Sequence, residues 1–451
     1  AAALKTKLSS AESASLAAVP TRNQAAMDLF LRAEFLATKG FTNYDIGSFR
    51  SAIPLYRQAI EQDADFALAY AKVSWAESAL AWFGGGGLDV KQLHIQARAD
   101  AEQALKLAPN ASASQLALGF SDYYGRGDYA GALKAFAAAL ALKPNDSDAL
   151  AGQGYVQRRQ GRFDDSAASF QKALTLDPRN SSLAYELGAT RMMASRYPEA
   201  EKWFQRALAV DADNLNAKAN YANSIAFSTG DIPRALAAMQ GNDPALKLAR
   251  VALLTYQRQY GKALALLDSI PDTPDNFQPG LNGTKTEQQA SLYRLMGDEA
   301  HARSLFAQSL PVLRTQLKML QGMSLAYQWL NLAYAEIGSG QSAAGLDAIA
   351  KALKISADTK DRVYGPQVLL AAAQYYAQAR RPDLAVPMLA KALAVPGTGT
   401  TYSPVLLWLD PLWDPIRLDP GFEALLQQYA KYKPAVFYTA APAFTPPPPA
   451  S

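Results

Sequence analysis

The sequence predicts an all-α protein built as a solenoid of helix–turn–helix repeats, and three observations carry that expectation. A fixed step of 34 residues recurs: Tyr129, Phe163 and Tyr197 keep it, as do Phe136, Phe170 and Phe204, and Ala139, Ala173 and Ala207. Within each step small and aromatic residues fall in helical phase. Each step is also punctuated, by Pro144 and Pro178 with Ala212 third, and by Gly127 and Gly161 with Ser195 third.

The unit is clearest from Ala149 to Asn180. A helix runs to a tight turn at Gly161, and a second helix follows and ends at Asp177-Pro178. Proline lacks the N–H needed to continue the ladder and restricts the residue before it. Gly154, Ser166 and Ala173 are small enough to let the two helices approach, while Phe163, Phe170 and Leu174 fill the space between neighbours.

Looser copies extend both ways. Upstream, Ala52, Tyr56 and Ala59 mark one and Ala97, Ala104 and Pro109 another. Downstream the same roles fall to Ala235 and Met239, Ala263 and Leu267, Ala302 and Phe306, Gly345 and Ala352, and Ala385, Leu389 and Ala392. About ten hairpins between Ala25 and Pro396 result. The expected organisation is a linker segment at 1–24, an N-terminal array at 25–272, a connection or hinge at 273–284, a C-terminal array at 285–396, a cap at 397–433 and a proline-rich tail at 434–451. Gly84–Gly87 reads as a flexible linker between helices.

The 34-residue helix–turn–helix pattern from Ala149 to Asn180 resembles the tetratricopeptide repeat. That resemblance implies a right-handed superhelical solenoid with a groove for a protein or peptide ligand. The opening stretch to about Leu36 and the closing motif Leu409–Leu426 resemble the repeat region of bacterial TolB-like signalling proteins. These are associated with CadC-like regulators, kinases or adenylate cyclases. The resemblance implies a sensory or interaction region of a signalling or envelope protein, with a periplasmic setting and a cytoplasmic one as the alternative. In the closing motif, Asp410-Pro411, Asp414-Pro415 and Asp419-Pro420 break the chain three times, and Leu412, Trp413, Ile416 and Phe422 are expected to cover the apolar end of the last hairpin.

Composition narrows the chemistry. The 451 residues are 49% hydrophobic and 19% charged, which excludes wholesale disorder. The absence of cysteine removes disulfides, thiolate catalysis, zinc–thiolate sites and iron–sulfur clusters. His94 and His301 are far apart in sequence and lack metal-ligand spacing. Asp410, Asp414 and Asp419 each precede a proline, which fits turn initiation and capping better than acid–base catalysis. A net charge of +4 is too small to imply nucleic acid, and no run approaches the ~18 apolar residues of a membrane span. The first residues, AAALKTKLSS, have no initiator Met, basic n-region or apolar h-region, so the stretch is expected to begin partway through a longer protein.

The expected function is therefore a scaffold without catalysis, cofactor or metal. Helical spacing places Tyr155, Arg158, Arg159, Tyr185, Met192, Asn216, Asn220 and Asn223 on first helices as candidate groove residues. Arginines pair with carboxylates, tyrosines give rigid contact area, and asparagines both donate and accept along a peptide backbone. The basic residues of the carboxylate clamp found in some tetratricopeptide proteins do not accompany Asn220 and Asn223. Two other readings stand beside this one. One is a structural subunit that self-assembles through solenoid ends and Pro446–Pro449; the other is the regulatory region of a cyclase, kinase or transcriptional regulator.

Overall fold

The computed structural model describes residues 20–43, 45–278, 280, 282–359 and 361–436. The expected linker segment and the proline-rich tail therefore lie almost wholly outside the described residues. Among the described residues the chain is all-helical, and helices follow one another as hairpins. These pair α1 (Gln24–Asn43) with α2 (Ile46–Gln62), α3 (Ala67–Trp82) with α4 (Val90–Leu107), α5 (Ser112–Phe120) with α6 (Tyr129–Leu142), and α7 (Ser147–Arg159) with α8 (Phe163–Leu176). Next come α9 (Ser181–Met193) with α10 (Tyr197–Val210), α11 (Leu215–Thr229) with α12 (Ile232–Ala238), and α13 (Pro244–Tyr256) with α14 (Tyr260–Asp268). The last hairpins are α15 (Lys285–Leu295) with α16 (Glu299–Gln316), α17 (Gly322–Gly338) with α18 (Ser342–Thr359), and α19 (Tyr364–Gln378) with α20 (Pro382–Leu393). Two short helices, α21 (Leu406–Leu409) and α22 (Pro420–Gln428), close the chain around a 3₁₀ segment at Pro411–Ile416. No helix among the described residues is long and apolar enough to cross a membrane.

The sequence dictates this locally. Asp45, Asp89, Asp128, Asn214, Asp231, Asp243 and Asp298 each stand just before a helix and accept a backbone N–H of its first turn. That partner satisfies a donor the helix itself leaves free. The repeat columns form the core: Phe136, Phe170 and Phe204 are fully buried, and so are Ala139, Ala173 and Ala207. A Cβ on Gly154 would lie 3.0 Å from the Phe170 ring, so a larger residue there would push on the ring where it crosses the first helix of that hairpin. The residue between the paired helices sits in the left-handed region, Gly127 at φ 62°, Gly161 at 78° and Ser195 at 59°. Gly230, Arg258, Gly297, Gly340 and Arg380 adopt the same conformation at later turns.

Packing divides the chain into two compact units, residues 1–157 with 164–183, and residues 158–163 with 184–451. In the first unit, Arg57 links Glu77 (2.6 Å) and Asp100 (2.9 Å) across three helices. Gly84–Gly87, expected as a flexible linker, is a packed turn. Gly85 and Gly86 are buried, the Gly86 carbonyl accepts from Arg50 Nη1 at 2.9 Å, and a Cβ on Gly86 would overlap Ile46 at 2.4 Å.

The described residues of 273–284 lie inside the second unit and make contacts within it. Phe277 is buried, the Gly280 N–H donates to Gln328 at 2.8 Å, and Lys285 Nζ donates to the carbonyls of Asp268 (2.9 Å) and Ile270 (2.7 Å). Thr284 and Glu287 then form a capping box that starts α15.

Candidate functional site along the first helices and their turns

The eight candidate groove residues separate by burial. Tyr155, Arg158, Arg159, Tyr185 and Met192 are all buried, whereas Asn216, Asn220 and Asn223 are half-buried. Tyr155, in the first unit, packs edge-on against Phe170 and faces Tyr123 and Phe41. In the second unit, Arg158 Nη1 donates to Glu186 Oε2 at 2.7 Å, both side chains being about 5% exposed. The Arg159 guanidinium lies 3.9 Å from the centre of the Tyr364 ring and 3.8 Å from Asp361. Both arginines thus direct their charge at groups of their own unit. Removing either would leave a buried carboxylate short of a partner, which costs stability.

The three asparagines lie along α11. Asn220 Nδ2 donates to the Tyr185 hydroxyl at 3.3 Å and to the Asn216 carbonyl at 3.1 Å. Tyr185 thereby serves the row as an acceptor from beneath it, with little surface of its own to offer a ligand.

A second feature of the second unit escaped the sequence reading. Its closing segment runs back along the turns of hairpins far upstream. The Gly397 N–H donates to the Met193 carbonyl at 3.0 Å, and the Tyr197 hydroxyl donates to the Tyr402 carbonyl at 3.4 Å. A Cβ on Gly399 would lie 1.8 Å from the Met192 carbonyl oxygen, so no other residue fits there. Pro434 and Val405 sit over Gly230, and Asp414 receives both Nη1 and Nη2 of Arg258. The turn after α7 is met in the same way, by Arg362, whose N–H donates to the Arg159 carbonyl at 2.9 Å and whose side chain rests on Gly161.

The closing motif also packs on the last hairpin. Trp413 and Phe422 are fully buried against each other, Trp413 donates to the Tyr402 hydroxyl at 2.6 Å, and the 3₁₀ segment lies on α19. Asp410 and Asp419 cap the turns that follow them. Burial pushes the Asp410 carboxyl up to about 6, against the pull of the Leu412 N–H and the Gln374 amide. Asp414 is the exception, since its carboxylate serves as the ion-pair partner of Arg258 and Arg417.

One signal for this edge was present in the sequence: Arg258 and Arg380 occupy a turn position that glycine fills elsewhere, and that position is left-handed. A residue with a Cβ in that conformation points to a compensating contact. At Arg258 the contact is Asp414.

The repeat profile agrees with this architecture. A family profile for the tetratricopeptide repeat matches residues 120–181 and 153–217. No curated protein matches the chain. Among solved structures, a thermophilic TPR protein of Thermus thermophilus is 18% identical, covering 43% of this chain and 98% of its own, with a TM-score of 0.36. PilW, a type IV pilus biogenesis factor, is 20% identical, covering 48% and 91%, with a TM-score of 0.34. YrrB, described as a TPR protein with an unusual peptide-binding site, is 21% identical, covering 46% and 96%, with a TM-score of 0.26. The repeat profile, the buried 34-residue columns and the succession of hairpins lead to one conclusion: residues 120–217 carry tetratricopeptide repeats, set within a longer run of helical hairpins.

Proposed function

We propose that the chain is a non-catalytic scaffold that binds a protein or peptide partner, and that Asn216, Asn220 and Asn223 on α11 orient it. The observation that carries this reading is the half-buried asparagine row on the first helix of the hairpin that follows the matched tetratricopeptide repeats. Amides at that spacing donate to and accept from an extended backbone while the helix beneath stays rigid. Arg158 and Arg159 fall outside the proposed contact because their partners are internal. The resemblance of Leu409–Leu426 to bacterial TolB-like signalling proteins supports a signalling or envelope context with a periplasmic setting.

A displayed library of extended peptides, selected on the intact chain, tests the reading. Selected peptides should bind the Asn220→Ala/Asn223→Ala variant roughly tenfold or more weakly, as for about two lost hydrogen bonds, with helicity unchanged. A library that yields no binders, or binders indifferent to the double change, overturns it.

A further inference from the structure

The second unit holds a cavity of about 200 Å³ between α17 and α19, open to solvent on one side. Tyr327, Asn331, Gln367, Gln374, Tyr375 and Thr401 line it. Most of the polar groups in its wall are already engaged. The Tyr327 hydroxyl donates to Gln367 Oε1 at 2.9 Å, Gln367 Nε2 to the Gly397 carbonyl at 3.1 Å, and Gln374 Nε2 to Asp410 at 2.7 Å. Asn331 differs: it is only 7% exposed, and its Nδ2 has no hydrogen-bond partner. A buried amide N–H without an acceptor is costly, and native interiors supply one.

The chemistry of the wall selects the acceptor. Among the described residues no lysine, arginine or histidine lines the cavity, so an anion would enter without a counter-charge, and the Asp410 carboxyl behind Gln374 would repel it. Tyr327 and Tyr375 supply aromatic surface, and Tyr375 is held in place by stacking on Tyr334 at 4.8 Å between ring centres. That surface suits a planar body.

We propose that this cavity binds a small neutral molecule with a planar or aromatic body and a carbonyl group, the carbonyl accepting from Asn331 Nδ2. The site is separate from the asparagine row on α11, so its failure and the failure of the peptide reading are read by different variants.

Benzamide, benzoate and benzylamine are suitable probes, titrated into the full chain by calorimetry and by ligand-observed saturation-transfer NMR. The expected result is saturable binding of benzamide, with benzoate and benzylamine at least roughly tenfold weaker. Asn331→Leu should weaken benzamide roughly tenfold, the loss of one buried hydrogen bond. Ala371→Leu, which fills the cavity and keeps Asn331, should abolish binding, and it serves as the test should Asn331→Leu fail to fold. Absence of saturable benzamide binding would mean that water alone occupies the cavity and would overturn the proposal. So would equal binding by the variants, or benzoate binding as tightly as benzamide.

Discussion

Gly127 in the first unit and Gly230 in the second occupy the same place in their hairpins, and their surroundings differ. Gly127 has φ 62° and nothing within 4 Å of where a Cβ would stand. Gly230 has φ 75°, yet Pro434 lies 2.6 Å and Val405 3.2 Å from that point. Within the second unit the contrast repeats: Gly297 and Gly340 are open, while Gly161 meets Arg362 and Arg258 grips Asp414. A hairpin needs only local residues to form its turn. Covering that turn needs chain from beyond residue 360, so part of the second unit's cohesion is set by contacts far apart in sequence.

Alanine at the two kinds of turn breaks or sharpens this contrast most strongly. Gly340→Ala should lose about 1–2 kcal/mol, the cost of a Cβ in left-handed backbone. Gly230→Ala carries the same cost and adds the overlap with Pro434, for a total of roughly 2–5 kcal/mol. Denaturant unfolding of both variants reads the difference, and equal losses would mean that Pro434 does not cover the turn.

A smaller effect contrasts two carboxylates of the second unit. Asp414 is met by Arg258 and Arg417, whereas burial pushes the Glu287 carboxyl up to about 8, with the Thr284 N–H as its opposing partner. Because the folded value exceeds the unfolded one, the folded state holds a proton that the unfolded chain has released. Stability attributable to Glu287 therefore falls as pH rises from about 5 to about 8, by roughly 1 kcal/mol per pH unit. Glu287→Gln should remove that slope. Melting temperatures between pH 6.5 and 8 check it, a window above most of the Asp410 titration, and parallel curves for the two proteins would contradict it.

How much of this was legible in the sequence follows from how each feature is encoded. The hairpins were legible because their core is periodic: Phe136, Phe170 and Phe204 announce themselves by spacing, and Ala263, Ala302 and Ala385 sit buried where the looser copies put them. The turn edge was not, because the pairing of Arg258 with Asp414 spans 156 residues and leaves no local mark beyond an arginine at a glycine position. Arg158 and Arg159 looked like ligand contacts because polar residues on a first helix are usually solvated. Nothing within one repeat reveals that Glu186 and Asp361 stand opposite them. The cavity had a faint signal in α17, an apolar helix in which Gln328 and Asn331 are amides on buried positions. Composition could not say that Gln328 finds acceptors while the Nδ2 of Asn331 does not.

The most direct measurement of the central claim, that the closing segment is fastened to the upstream turn edge of its unit, is a double-mutant cycle between Arg258 and Asp414. Arg258→Met, Asp414→Asn and the pair would be unfolded in denaturant. With Arg258 buried and Asp414 partly exposed, the account predicts a coupling of about 1–3 kcal/mol, the double variant losing less than the two single losses added together. Losses that simply add would place Asp414 away from Arg258 and contradict it.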